Sequence, residues 1–293
     1  MFQSGFVSIV GLPNAGKSTF MNRVLGQKIS IISSKPQTTR TNIHGVLTQD
    51  DFQIVFVDTP GAQTPRNKLG EHMAKSVKQS LVDVDVILFM VDINFGILDK
   101  EMELYEQIKG KAPIILCLNK CDMVNDEKVL KSIDKYSKLD GIDQIVPISA
   151  KEEKNLDRLV SVIREYLPEG PMYYPADMVT DQPERLIAAE IIREKALNHL
   201  RDEIPHGIGV EIMKIKDEED RMFVSATMYC EKDSHKGMII GKQGAMLKTI
   251  GKEARMDLRH LFGKGVYLEL WVKVVKDWRN KQSALTDLGF EKQ

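Results

Sequence analysis

The sequence predicts an α/β unit on a doubly wound, mostly parallel sheet, followed by a smaller α+β unit. Three observations carry that prediction. Up to about Leu167, short apolar runs alternate with polar segments of helix-like length, the pattern of βα units. Residues 169–183 are rich in proline and glycine, which resist helix and sheet and read as a linker. Beyond it the periodicities follow the order α-β-β-α-α-β.

The expected strands of the first unit are Phe6–Val10, Phe52–Val57, Val84–Val91, Ile114–Leu118 and Gln144–Ile148. Each is too short for a helix and rich in Val and Ile, as buried parallel strands are. Ligands of such sheets bind at the carboxyl ends of the strands. In the second unit, Ala189, Ile192, Ala196 and Leu200 repeat at helical spacing over about 184–203. A strand is expected near Val210–Lys216, and another over Met222–Cys230 with Val224, Ala226, Met228 and Cys230 on one face. A helical region over about 236–261 is broken by Gly241 and Gly244, and Val266–Val274 alternates as a strand. The expected division is 1–168, linker 169–183, 184–276, and a basic, aromatic tail 277–293.

Composition narrows the function classes. With 293 residues, 42% hydrophobic and 28% charged, the chain is neither collagen-like, mucin-like nor wholly disordered. Its longest strongly apolar run, Val86–Val91, falls far short of the roughly 20 residues that span a bilayer. The amino end lacks a basic stretch followed by a long apolar core, so no secretory signal is expected. Three cysteines suit a reducing cytoplasm. The net charge of −1 hides two basic ends. Residues 1–40 carry Lys17, Arg23, Lys28, Lys35 and Arg40 and no acid, and residues 232–293 carry 13 basic against 7 acidic side chains. Either these are two polyanion-handling surfaces or they are solvated faces.

Gly11-Leu12-Pro13-Asn14-Ala15-Gly16-Lys17-Ser18, followed by Thr19, fits GxxxxGK[ST] between a strand and a helix. Gly11 and Gly16 let the backbone turn its N–H groups inward, and the helix amino end adds positive charge. Lys17 would neutralise the β- and γ-phosphates, and the Ser18 hydroxyl would bind Mg²⁺. Asp58-Thr59-Pro60-Gly61 fits DxxG, Asn119-Lys120-Cys121-Asp122 fits NKxD, and Ser149-Ala150-Lys151 fits SAK, each at a strand's carboxyl end. A carboxylate at Asp122 can accept from guanine N1–H and the 2-amino group together, a donor pair adenine lacks. Cys117 and Cys121 also admit a metal reading, but a buried strand cysteine and a variable motif position account for them better.

This ordered set resembles translation-factor-type GTPases over about residues 5–168. The resemblance implies GTP and GDP as ligands, with Asp58 on Mg²⁺ through water and the Gly61 N–H at the γ-phosphate. It also implies Asn119 at the base edge, the Lys120 stem on the ring and the Ala150 N–H at guanine O6. Pro36-Gln37-Thr38-Thr39-Arg40 resembles a switch signature of one branch, with Thr39 as the residue closing on Mg²⁺ and γ-phosphate and Thr38 as the alternative. Lys17, Thr39 and Gly61 are the expected catalytic set, and Ser18, Thr39 and Asp58 the expected metal set. Ala62 stands where Ras-like enzymes place a water-orienting Gln. Slow intrinsic hydrolysis raised by a partner is therefore expected. Asn14 is either part of a K⁺ site supplying the missing charge or a polar loop filler.

Ile239-Ile240-Gly241-Lys242-Gln243-Gly244 fits an I-G-x-x-G loop between two helices. It resembles the RNA-binding loop of a type II KH domain. Two glycines allow close approach to phosphates, Lys242 and Lys248 attract them, and Ile239 and Ile240 would line the groove under the bases. In the tail, Trp278 and Arg279 would stack a base and grip phosphate, unless Trp278 simply packs on its own domain.

A GTPase domain followed by a type II KH domain resembles the bacterial Era family across nearly the whole chain. That resemblance implies a monomeric, cytoplasmic GTPase that binds 16S rRNA near its 3′ end and assists 30S subunit assembly and rRNA processing. It also implies peripheral association with the cell membrane in some members. The alternative is a signalling GTPase acting on a protein or membrane partner, with the KH-like domain as its interaction module.

Overall fold

The computed structural model describes residues 1–33, 35 and 38–290. Pro36 and Gln37 of the expected switch signature lie outside the described residues. The chain divides into two compact units. The first comprises Met1–Ser30, Thr39–Thr64 and Met73–Asp181, and the second Ile31–Thr38, Pro65–His72 and Gln182–Gln293.

The first part of the chain runs β1 (Gln3–Val10), α1 (Lys17–Leu25), β2 (Ile43–Thr48), β3 (Phe52–Asp58), α2 (Lys68–Gln79), β4 (Val86–Asp92), α3 (Asp99–Ile108), β5 (Ile114–Asn119), α4 (Asp126–Tyr136), β6 (Gln144–Pro147) and α5 (Leu156–Arg164). The six strands lie in the order β2-β3-β1-β4-β5-β6. All neighbours are parallel except β2 against β3. Strands β3, β4 and β5 are buried along their whole length, which is why they read as near-continuous apolar runs, with Gln53 the one polar residue inside β3. From β1 the sheet grows both ways, to β3 and to β4. The loop after β1 therefore leaves the sheet at a topological switch point, where ligands of such folds sit.

Strand β2 is absent from the expected set. Its sequence, Ile-His-Gly-Val-Leu-Thr, is short, polar at two positions and broken by Gly45. It pairs at the sheet edge, where propensity is weakly selective. Gly45 is required by packing, since a Cβ there would lie 2.5 Å from Leu25 Cδ1.

The proline-rich stretch read as a linker is docked along most of its length. Val46 N donates to Val179 O at 2.8 Å. Buried Gln53 accepts from Tyr173 N and Tyr174 N at 2.7 and 3.0 Å and donates to Tyr174 O at 2.9 Å. A buried amide gives a prolyl segment the hydrogen bonds its own backbone cannot form. The first compact unit accordingly runs through Asp181.

The second part runs α6 (Glu184–His199), β7 (Gly209–Asp217), β8 (Arg221–Cys230), α7 (Asp233–Ile240), α8 (Ala245–Phe262), β9 (Gly265–Val274) and α9 (Gln282–Asp287). The expected α-β-β-α-α-β order holds. Helix α6 stops four residues short of Glu203, because Leu200 turns to extended backbone (φ −89°, ψ 154°). The sheet order is β7-β8-β9, antiparallel then parallel. Val224, Ala226, Met228 and Cys230 are all fully buried, in one core with Ile192, Ala196, Ile250, Ala254 and Leu258 of α6 and α8. The tail belongs to this unit, with Trp278 and Leu285 fully buried.

Candidate nucleotide site and glycine loop

The first phosphate-loop feature is the curl itself. Gly16 has φ +102°, and a Cβ there would stand 2.1 Å from Asn119 Nδ2. A Cβ at Gly11 would meet Met90 O at 2.3 Å. Asn14 is also left-handed, at φ +65°, and its side chain is exposed. Lys17, the first residue of α1, is 6% exposed. Its ammonium donates to Gly11 O and Leu12 O, both at 3.1 Å. Burial lowers its pKa to about 8, with the Asp58 charge working against that fall. An ammonium so poorly solvated gains strongly from any anion that reaches the loop.

Oxygen atoms gather beside it. Ser18 Oγ donates to Asp58 Oδ2 at 2.7 Å and lies 3.0 Å from Thr39 Oγ1. Thr39 Oγ1 and Ser30 Oγ donate to the same Oδ2 at 3.4 and 3.0 Å. Among the described residues, Asp58 Oδ1 is buried with no hydrogen-bond partner. Desolvation raises the Asp58 pKa, opposed by Lys17 and these hydroxyls. An orphaned buried carboxylate oxygen amid hydroxyls is a donor set of the all-oxygen kind that a hard divalent cation such as Mg²⁺ takes. Thr38 is turned elsewhere, its hydroxyl donating to Lys35 O at 2.6 Å. The geometry thus brings Thr39, not Thr38, to the cluster.

The DxxG turn closes on the phosphate loop. Thr59 Oγ1 donates to Ile9 O at 2.8 Å, and Ala62 N donates to Gly11 O at 3.2 Å. A Cβ on Gly61 would fall 2.7 Å from the Pro13 backbone. Pro60 is buried. Gln63 does not fill the missing glutamine's place, since its amide reaches Met73 Sδ at 3.7 Å.

Asn119, at the end of β5, joins three loops. Its Nδ2 donates to Ala15 O at 2.8 Å, and its Oδ1 accepts from Lys120 N at 2.8 Å and Ala150 N at 3.0 Å. Lys120 is left-handed, at φ +68°, and its ammonium meets Asp92 Oδ2 at 2.6 Å. Asp122 is exposed and accepts from Ser149 Oγ at 2.5 Å. Cys121 donates backbone N–H to Ile148 O, which draws the NKxD and SAK loops together. Lys151 points outward beside Glu152 at 3.3 Å. Leu12, Pro13 and Thr19 are half-buried along the same loop and helix start.

In the second unit, Gly241 (φ +74°), Gln243 (φ +52°) and Gly244 (φ +79°) make the glycine loop between α7 and α8. Gly244 N donates to Gly241 O at 3.1 Å, and Gly244 caps α8. Lys242, Gln243 and Lys248 are exposed. Three expected nucleic-acid residues are placed differently. Ile239 is fully buried in the core, leaving only Ile240 half-exposed at the loop. Trp278 is fully buried, its indole N–H donating to Gly207 O at 2.9 Å. Its large apolar body fills the gap between tail and core, so packing takes the ring that was expected to stack on a base. Arg279 is held by both oxygens of Glu231 at 2.9 and 2.7 Å.

Comparison with known proteins decides the family. A 50S ribosome-binding GTPase model matches residues 6–120, and a KH domain model matches 203–279. GTPase Era of Alkaliphilus oremlandii is 52% identical over 293 residues, covering 99% of each chain, and that of Alkaliphilus metalliredigens is 51% identical over 99% of each. The chain belongs to the Era family of GTPases. Two solved Era structures match at TM-score 0.96 and 44% identity. One is Era in complex with MgGDPNP and nucleotides 1506–1542 of 16S ribosomal RNA, covering 100% of both chains. The other is a single-residue variant of Aquifex aeolicus Era bound to GDP·AlF4⁻, covering 99% of this chain and 100% of that one. Like its family, this Era-type chain is a GTPase, hydrolysing GTP to GDP and phosphate.

Two site residues escape the motif patterns. Ser30 joins the oxygen cluster from a loop with no fixed spacing to Asp58. Asp92 ends β4 directly beside Asn119 in the β4–β5 register. Its position at a strand's carboxyl end is the signal that could have marked it.

Proposed function

We propose that this Era-family chain is a GTP-switched assembly factor for the small ribosomal subunit, holding a single-stranded stretch near the 3′ end of 16S rRNA in its KH loop. The observation that carries this reading is the relative solved with MgGDPNP and nucleotides 1506–1542 of 16S rRNA, which matches over the whole of both chains. Monomeric action in the cytoplasm, with peripheral contact to the inner membrane face, completes the reading. No helix among the described residues is long and apolar enough to cross a membrane.

Lys17 and the inward N–H groups of the loop from Gly11 to Ser18 receive the phosphates. Ser18, Thr39 and Asp58 hold Mg²⁺, which neutralises charge between the β- and γ-phosphates. Asp122 reads the guanine edge, Ala150 N–H meets O6, and the Lys120 stem covers the ring. Gly61 presents its N–H to the γ-phosphate. With Ala62 unable to orient water and Gln63 committed to Met73, intrinsic turnover is slow. Asn14 helps hold a K⁺ ion that supplies positive charge, and equal turnover in potassium and sodium buffers would refute that role.

Ile31–Thr38 belongs to the same compact unit as the glycine loop, and Thr39 follows it directly in the chain. This supports a coupling in which γ-phosphate ordering of Thr39 alters RNA binding. By linkage, RNA then favours the GTP state by the factor by which GTP favours RNA. A footprint on small-subunit rRNA tests the reading. Protection near the 3′ end in GTP but not GDP is expected, and identical footprints in both would remove the switch.

A further inference from the structure

The three-stranded sheet of the second unit buries one face and leaves aromatics on the other. On β8 the inner residues Met222, Val224, Ala226 and Met228 are buried, and the inner residues Val266, Leu268, Leu270 and Val272 of β9 pack partly buried against the same core. Alternation sends Arg221, Phe223, Ser225 and Thr227 of β8, and Tyr267, Glu269, Trp271 and Lys273 of β9, to the outer face. Tyr267 is 46% and Trp271 64% exposed. An exposed sheet face normally carries small polar residues, so two large open rings on one strand call for a partner.

The same face collects cations over those rings. Phe223 and Tyr267 stack with centroids 5.8 Å apart and planes 18° apart. Arg221 lies 5.5 Å from the Tyr267 ring, Lys214 lies 6.0 Å from Phe223, and Lys273 lies 5.6 Å from Tyr229. A bulge in β7 makes this possible. Ile212 pairs inward with Ala226, but the register slips and Lys214 then pairs with outward Ser225 and Lys216 with outward Phe223. One extra residue thus turns two lysines onto the aromatic face. Of the acids nearby, Glu269 lies between Tyr267 and Trp271 on β9, Glu211 accepts from Tyr229 OH at 2.6 Å, and Glu218 is met by Arg221 at 3.4 Å and Lys216 at 3.8 Å, so the cations outnumber the acids on this face.

We propose that this outer sheet face is a second platform for single-stranded RNA, separate from the glycine loop. Bases stack on Trp271 and Tyr267, and Lys214, Lys216, Arg221 and Lys273 hold the phosphates. The chemistry favours this occupant over a protein, because flat rings interleaved with cations match a strand that offers π-faces and negative charge at each step. A protein face would bury the rings against apolar side chains and leave the cations unmatched. The proposal stands apart from the glycine-loop reading and survives its failure.

The chain's two tryptophans allow a direct test, since Trp271 is open and Trp278 fully buried. The full-length protein is titrated with oligouridylate while tryptophan emission is recorded. Quenching is expected, and it disappears in Trp271→Phe. It persists in a Lys242→Glu, Lys248→Glu chain whose glycine loop no longer attracts phosphate. In that chain Trp271→Ala lowers affinity about tenfold, the worth of one stacked base. Lys214→Ala lowers the salt slope of binding by about 0.7. Binding without quenching leaves the glycine loop standing and overturns the platform. Loss of quenching with the loop variant, or no binding by that variant, overturns it as an independent site. Quenching of Trp271 by phosphatidylglycerol vesicles and not by oligouridylate makes the face a lipid surface and overturns it equally.

Discussion

The carboxylate of Asp92 holds the ammonium of Lys120 at 2.6 Å, across the adjoining ends of β4 and β5. Asp92 is 8% exposed, and its other oxygen accepts from Asn94 N and Nδ2 at 3.0 and 2.8 Å. The Lys120 and Asn94 bonds keep its pKa below the ordinary carboxylate value despite burial. The lysine stem proposed to cover the guanine ring is therefore aimed by a fixed partner.

Asp92→Ala is expected to speed GDP release by about tenfold, the loss of one charge-assisted hydrogen bond. Lys120→Ala is expected to do the same, and the double variant no more than either alone. A double-mutant cycle on release of a fluorescent GDP analogue measures this coupling. Additive losses would mean that Asp92 acts through the fold and not through Lys120.

Asp122→Asn exchanges the double acceptor for an amide whose NH2 faces the guanine 2-amino group, donor against donor. GTP affinity should fall by about a hundredfold, near the upper end of the roughly 1–3 kcal/mol that an unsatisfied polar group costs, and XTP should now compete. Competition binding with both nucleotides decides it, and an undiminished preference for GTP would remove Asp122 from base recognition.

Lys17 has a pH signature. Its folded pKa of about 8 lies below the unfolded value of 10.5. Below pH 8 the nucleotide-free fold carries a buried charge that the unfolded chain solvates. Between about pH 8 and 10.5 the unfolded chain binds the extra proton, so this group makes stability rise with pH. Lys17→Met should flatten that rise in thermal melts while abolishing nucleotide binding. In the wild type, phosphates restore the charge, so GDP binding should take up a proton just above pH 8. Calorimetry in buffers of different ionisation enthalpy detects that uptake, and no dependence on the buffer would show Lys17 already protonated.

Trp278→Ala should destabilise the second unit by about 3–5 kcal/mol, as removal of a fully buried indole does. Trp278→Phe keeps most of the volume but leaves Gly207 O unpaired, for a loss of about 1–3 kcal/mol. Thermal unfolding ranks the two. A wild-type-like melt for Trp278→Ala would mean that the ring is free in solution, and would return it to the RNA surface.

The amino-acid sequence alone determined the βα alternation, the four nucleotide motifs and the α-β-β-α-α-β order. Each of these is local: a strand's apolar run, a glycine at positive φ, a motif at fixed spacing. Hence Gly16, Lys17, Asp58, Asn119 and Asp122 could be named from one dimension. Tertiary structure alone decided the rest. Nothing in its short, glycine-interrupted run distinguishes β2 from a loop until β3 offers an edge to pair with. The proline-rich segment looks like a spacer until the Gln53 amide captures it. Trp278 could stack or pack, and only the hole beneath it, with Gly207 O inside, settled which. The lysines facing the outer aromatics depend on a one-residue slip in β7 that alternation by itself would have reversed. Long-range pairing and burial are properties of partners far away in the chain, so no local window of residues encodes them.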